Sequence, residues 1–214
     1  MSKLHMPYWP KRVPVSITIP QTSIVHNLQV TASRYPDQTA IYYYGQSLTY
    51  RQLMEKVEAL SGALQNEFNV KKGDRVILFM QNSPQFVLAY YSILLIGAVV
   101  VPLNPMNKKS ELAFYIEDSE ATIAIVGQEL YDEIAPLVKE TILKNIIVTN
   151  YHIENEQFDR SFELPKELQI PKHELKEEFA VGLDAILANN LQVIPAEVSG
   201  SDIAILPYTS GNNR

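Results

Sequence analysis

The sequence contains no cysteine, which removes thiol nucleophiles, disulfides and cysteine-ligated metals from the chemistry open to it. That absence is compatible with a reducing compartment, and a cytoplasmic location is the expectation. Basic clusters are equally scarce. The longest are pairs, such as Lys71-Lys72 and Lys108-Lys109, and 18 Lys and Arg are outnumbered by 24 Asp and Glu, for a net charge of −6. Neutralising a nucleic-acid backbone needs clustered cations, so no nucleic-acid partner is expected. The four histidines, His5, His26, His152 and His173, are far apart and show no metal-ligand spacing, so no metal ligand is assigned. The adjacent carboxylates Glu117-Asp118 and Glu177-Glu178 do not face each other at a spacing of one, which leaves solvated faces rather than an acid–base dyad. No catalytic residue is assigned, and no repeat of solenoid period is visible. The first 20 residues lack the uninterrupted apolar run of a signal peptide and are broken by prolines.

What is present is a balance of 46% hydrophobic and 20% charged residues over 214 positions, enough for a substantial buried core. Val76 to Asn107 carries no charge at all, and Phe86 to Leu103 has the length of a membrane span. Its punctuation points instead to a buried helix followed by a buried strand: Ser83-Pro84 starts a helix, Gly97 stops it, and Pro102 closes the β-branched run AVVVPL. No transmembrane segment is therefore expected, with peripheral membrane contact by Val76 to Leu103 as an alternative.

Residues 1–22 read as an extended lead-in, and 23–214 as one α/β unit. A helix from Ser23 places Ile24, Leu28 and Ala32 on one face and ends before Pro36. TAIYYY and SLTY flank a tight turn at Gly45-Gln46. Thr49 and Gln52 have capping-box spacing, followed by the stripe Leu53, Val57, Leu60, Leu64, Phe68. RVILFM (75–80), AVVVPL (98–103), TIAIVG (122–127) and NIIVT (145–149) read as strands, separated by helices from Ser83 to about Ile96, from Ser110 to Ser119, and after Gly127, where Glu129, Asp132 and Glu133 favour the helix start. Asn150 to Lys176 is polar and reads as a long surface excursion, followed by a short helix at 179–187 and a final strand, IAILPY (203–208). This alternation predicts a parallel βαβ sheet with helices on both faces. Ligands of such sheets bind beyond the carboxyl ends of the strands. The Thr-Ser-Gly that follows the last strand suits phosphate, because glycine lets the backbone approach while hydroxyls and amides donate hydrogen bonds.

Three segments occur together and in order: SLTYRQLMEKVEALSGAL, then KKGDRVILFMQNSPQFVLAYYSILLIGAVVVPLNP, then ILPYTSG. In this the sequence resembles the N-terminal part of the adenylate-forming acyl ligases, the AMP-binding superfamily, from about Met6 to Gly211. NPMNKKSELAFYIEDSEATIAIV and the lead-in YWPKRVP are similar to the corresponding stretches of long-chain fatty-acid–CoA ligases. The resemblance implies an enzyme that activates a carboxylate with ATP and passes the acyl group to the thiol of CoA, with Mg2+ as cofactor.

In that family a Tyr-Thr-Ser-Gly run continues to a second glycine, a proline, a lysine and another glycine, and the whole loop grips the ATP phosphates. Thr209, Ser210 and Gly211 match and are the predicted nucleotide-binding residues, with Tyr208 in the lead-in position. Asn212, Asn213 and Arg214 depart from the pattern. The resemblance therefore implies an incomplete, truncated N-terminal subdomain that is inactive alone and binds ATP poorly, with apolar surface and a strand edge left to self-associate. The alternative is a non-catalytic Rossmann-like binding or interaction module.

Overall fold

The computed structural model describes residues 8–16, 18–151 and 165–209. The described lead-in residues contain neither α-helix nor strand. Helix α1 (Ile24–Arg34) is capped by Ser23, whose side chain accepts from the His26 amide at 3.0 Å. Its buried residues are Val25 and Leu28; Leu28 keeps its expected place and Ala32 is half-buried, but Ile24 is 45% exposed and Val25 turns inward instead. Strands β1 (Thr39–Tyr43) and β2 (Gln46–Thr49) form an antiparallel hairpin pairing Tyr43 with Gln46. The turn is thus Tyr44-Gly45, one residue earlier than expected, and both residues have positive φ, at 45° and 84°. Two such residues in succession suit the right-handed twist of a two-residue hairpin.

Thr49 and Gln52 close the expected capping box of α2 (Tyr50–Asn66): the Thr49 amide donates to Gln52 Oε1 at 2.9 Å and the Gln52 amide to Thr49 Oγ1 at 3.2 Å. Leu53, Val57, Leu60 and Leu64 are buried along it, and Phe68 packs on the core from beyond the helix end. The alternating elements continue as β3 (Arg75–Phe79), α3 (Pro84–Leu95), β4 (Val99–Pro102), α4 (Lys109–Ser119) and β5 (Ile123–Gly127). The helix expected next is only one turn, α5 (Tyr131–Ile134), between 3-10 turns at Gln128–Leu130 and Ala135–Lys139. Pro136, which has no N–H to donate, sits in the second of these turns. Strand β6 (Asn145–Thr149) follows.

Two segments correct the sequence reading. Ala180–Gly182, expected inside a helix, is strand β7, and helix α6 runs over Leu183–Asn189. Three residues carry no readable period, and pairing to β6 decides their conformation. The strand expected over 203–208 reduces to a single parallel bridge of Ile205 to Val100. The Val100 amide donates to Ala204 O at 3.0 Å and the Leu206 amide to Val100 O at 2.8 Å. The next donor on β4 would be Pro102, which has no N–H, so the ladder stops. Where it is described, the polar excursion is mostly exposed, as expected. Residues 152–164 lie outside the described residues, but 165–176 dock on the body, with Leu168 2% exposed.

All five strands of the main sheet are parallel, in the order β4-β3-β5-β6-β7. Alternate side chains divide cleanly between its faces. Val76, Leu78, Val100, Ile123, Ile125 and Ile147 meet α1, α2, α3 and α6, whereas Ile77, Phe79, Val101, Ala124, Val126 and Ile146 meet Leu112, Ile116, Ile134 and Leu137 from α4, α5 and the turn after it. Covering both faces makes each strand continuously apolar. The charge-free run from Val76 to Asn107 is accounted for as strand, helix and strand, and no described helix is long and apolar enough to cross a membrane.

Candidate functional site

Beyond the carboxyl ends of β3, β5 and β6, where an open parallel sheet offers its crevice, the described residues form a polar network. Tyr151, 4% exposed, follows β6 and its hydroxyl accepts from the Gln81 amide at 3.0 Å. A Cβ on Gly127 would stand 2.3 Å from that hydroxyl and 2.7 Å from a Glu129 carboxylate oxygen. Burial first, and then the Glu129 charge, push the Tyr151 hydroxyl well above the usual tyrosine range, so it stays a neutral donor. Beside it, Gln128 Oε1 accepts from Asn150 Nδ2 and from the His173 amide, both at 2.9 Å, while Gln128 Nε2 donates to Pro171 O at 2.8 Å. These bonds tie the described end of the excursion to the sheet. Part of the crevice is thus filled by the protein's own side chains. A cavity of about 220 Å³ remains next to Tyr151, walled by Ile41, Tyr43, Gln85, Leu88 and Leu187.

The network involves residues that the sequence reading passed over. By sequence alone Glu129 is a helix-start charge and Tyr151 part of a polar excursion. The available signal was their position, since each follows directly from a strand's carboxyl end.

Of the predicted nucleotide-binding residues only Thr209 is described, and it follows a segment bridged to the β4 edge of the sheet. Ile205 enters parallel to Val100 and is thereby aimed along β4. The Tyr208 hydroxyl donates to Asp118 Oδ2 at 2.6 Å, and its ring lies 4.4 Å from that of Tyr115. Burial and then the Asp118 hydrogen bond hold the Tyr208 hydroxyl above its ordinary range. Both contacts lie on α4, close to its carboxyl end, where Arg75 Nε donates to Ser119 O. Thr209 is exposed and lines neither the cavity beside Tyr151 nor a larger one, of about 420 Å³, between the lead-in and residues 198–204. Ser210 and Gly211 lie outside the described residues.

The carboxylate pairs are exposed, as expected, but they are not idle. Glu117 Oε1 accepts from the Ile142 amide at 3.2 Å, Asp118 holds Tyr208, and Glu177 Oε2 accepts from Tyr131 at 3.1 Å. The Tyr131 hydroxyl is pushed up to about 12 by burial and by Glu177. His26 and His173 are exposed, and His5 and His152 lie outside the described residues. Among the described residues no group of three or more His, Asp or Glu is placed to hold a metal ion.

Comparison with known proteins follows the same architecture. The long-chain-fatty-acid–CoA ligase of Salmonella typhimurium is 30% identical over 220 aligned positions, covering 99% of this chain and 38% of that protein. Two solved structures share the fold. The anthranilate CoA ligase AuaEII, solved with anthranoyl-AMP, gives a TM-score of 0.74 at 21% identity over 91% of this chain and 33% of its own. A long-chain-fatty-acid-CoA ligase from Archaeoglobus fulgidus gives 0.69 at 22% identity over 92% and 36%. The chain therefore spans about 38% of the length of the curated relatives it matches. The family described as AMP-binding enzyme matches residues 28–212. With that match running from the middle of α1 past Thr209, the chain belongs to the AMP-binding enzyme family.

Proposed function

We propose that this chain is the N-terminal α/β portion of an ATP-dependent acyl–CoA ligase acting on a long-chain fatty acid in the cytoplasm. Residues 1–22 are its lead-in and 23–214 its subdomain. The observation that carries the reading is the family match over residues 28–212, in which the Thr-Ser-Gly run follows a segment bridged to β4. In the reaction, a carboxylate oxygen of the fatty acid attacks the α-phosphorus of ATP. The bond to the bridging oxygen breaks, and pyrophosphate leaves. The CoA thiol then attacks the acyl carbonyl of the adenylate, losing its proton, and AMP leaves with the electron pair of the carbon–oxygen bond.

Thr209, Ser210 and Gly211 are assigned to the first contacts with the ATP phosphates, through hydroxyl and amide donors. Among the described residues no group of three or more His, Asp or Glu is placed to hold magnesium. With 38% of the relatives' length present, these residues act as scaffold and do not turn over alone. The exposed apolar side chains Ile194, Ile203, Ile205 and Leu206 favour self-association of the isolated chain.

The test is a titration of the isotope-labelled 214-residue chain with ATP and magnesium, read by amide shifts, together with a palmitate-dependent ATP–pyrophosphate exchange assay. Expected are shifts at Thr209, Ser210 and Gly211 with a dissociation constant on the order of millimolar, and no exchange. Exchange catalysed by the chain alone overturns the scaffold role; unshifted amides at 209–211 overturn the phosphate assignment.

A further inference from the structure

Between the end of α6 at Asn189 and the bridge at Ile205, the chain crosses the molecule without helix or strand. It is nevertheless tied down over most of that path, and the ties begin on the C-terminal half of α2. Gln65 reads the backbone of Ile194 as a strand neighbour would: its Oε1 accepts from the Ile194 amide at 3.0 Å and its Nε2 donates to Ile194 O at 2.8 Å. Asn66 Nδ2 donates to Gln192 O at 2.9 Å, and Asn189 Nδ2 donates to Glu67 Oε1 at 3.1 Å. The approach is close because residue 62 is glycine. A Cβ there would lie 2.0 Å from Leu191 O and 2.6 Å from its carbonyl carbon. No rotamer change relieves a clash with backbone.

Further along, the Ala196 amide donates to Leu95 O at 3.0 Å. Lys72 Nζ donates to Glu197 O and pairs with Asp202, each at 2.8 Å. Asp202 Oδ2 also accepts from the Ser199 amide at 2.7 Å, and the Lys72 bond leads the causes that hold its carboxyl below the usual range. Two residues later the chain reaches Ala204 and the β4 edge.

We propose that Gly62, Gln65 and Asn66 are positioning residues, which hold residues 191–194 on α2 and, together with the ties at Leu95 and Lys72, fix the register in which Ile205 meets Val100. None of these side chains touches residues 205–209. Their effect is transmitted by a segment that has no internal ladder of its own and takes its course from hydrogen bonds to α2, Leu95 and Lys72. The consequence for nucleotide binding rests on the reading of Thr209–Gly211 as the entrance to the phosphate loop, since a shifted Ile205 would re-aim that entrance.

The register has two direct reporters, the amides of Leu206 and Val100, which donate the two bonds of the bridge. Hydrogen exchange on the 214-residue chain is compared among wild type, Gly62→Ala, Gln65→Leu and Gln65→Glu, with Ile125 and Ile147 amides as core references. Expected for Gly62→Ala and Gln65→Leu is exchange at Leu206 and Val100 faster by about tenfold or more, with Ile125 and Ile147 within about twofold. Gln65→Glu keeps the acceptor for the Ile194 amide and is expected to fall between. If Gly62→Ala prevents folding, Gln65→Leu, on a partly exposed side chain, decides.

Unchanged exchange at Leu206 and Val100 in Gln65→Leu overturns the proposal. So does acceleration equal to that at Ile125 and Ile147, which would indicate a general loss of stability. The exchange measurement uses no nucleotide. A result as expected here, combined with unshifted amides at 209–211 in the ATP titration, would keep the positioning role and remove the phosphate reading.

Discussion

The two ends of chemical interest in this fold are held by different means. Beyond β3, β5 and β6, Tyr151 is buried, and its hydroxyl is locked between the Gln81 amide and Glu129 over a glycine that leaves no spare room. At the β4 edge, residues 190–209 lie on the surface and are held by individual bonds to α2, Lys72 and Asp118. Unpairing a buried polar group carries the full cost of its desolvation, whereas an exposed one is resatisfied by water. The first region should therefore respond to substitution through global stability and the second through local opening.

The largest effect should come from Gly127→Val. Its Cβ falls 2.3 Å from the Tyr151 hydroxyl, and overpacking of this kind costs about 1–3 kcal/mol or more, read as a lowered midpoint in urea. Tyr151→Phe comes next. It removes the acceptor of the Gln81 amide and is expected to cost roughly 1–3 kcal/mol. A cost as small as that of Tyr208→Phe would break the comparison. Tyr208→Phe, at the edge, should cost about 1 kcal/mol or less, while exchange at the Leu206 amide speeds more than at Ile125.

The pH dependence sharpens the contrast. Asp202 has a lowered folded pKa, so its contribution is present above the ordinary carboxylate value, about 3.9, and is lost as pH falls through the folded value. Acidification from neutral pH into that range should loosen 196–204, seen as faster exchange there, and Lys72→Met should weaken the dependence, leaving the part due to the Ser199 amide. Tyr131, raised to about 12 by burial and then by Glu177, works in the other direction. Its contribution is present below about 10 and fades as pH rises through 12, with Tyr131→Phe as the control. The smallest effect, weak concentration-dependent scattering from Ile194 and Ile203, 80% and 64% exposed, should diminish in the double variant Ile194→Lys/Ile203→Lys.

Much of the fold was legible because its signals are local. Thr49 and Gln52 sit three apart, Ser83-Pro84 opens a helix, and strands buried on both faces leave continuous apolar runs such as Val76 to Phe79. The errors fall where a neighbour decides. AVG at 180–182 becomes a strand because β6 offers an open edge, and IAILPY keeps one bridge because Pro102, a hundred residues away, has no N–H. At the candidate site, Thr-Ser-Gly stood out as a motif. Tyr151, Glu129 and Gln128 did not, because each is ordinary in sequence and becomes specific only when three strand ends converge.

The amino-acid order by itself determined the alternation of strands and helices, their caps, the two-faced parallel sheet and the chain's kinship with the AMP-binding enzymes. Hydrophobic period and capping chemistry act within a few residues and need no knowledge of the rest. Only the tertiary structure decided that Gly62 must be bare beneath Leu191, that Gln65 serves as a strand partner for Ile194, and that part of the crevice beside β6 is filled by Tyr151. Each of these depends on excluded volume or an unpaired backbone group supplied by residues distant in sequence, and such constraints exist only once the chain has packed.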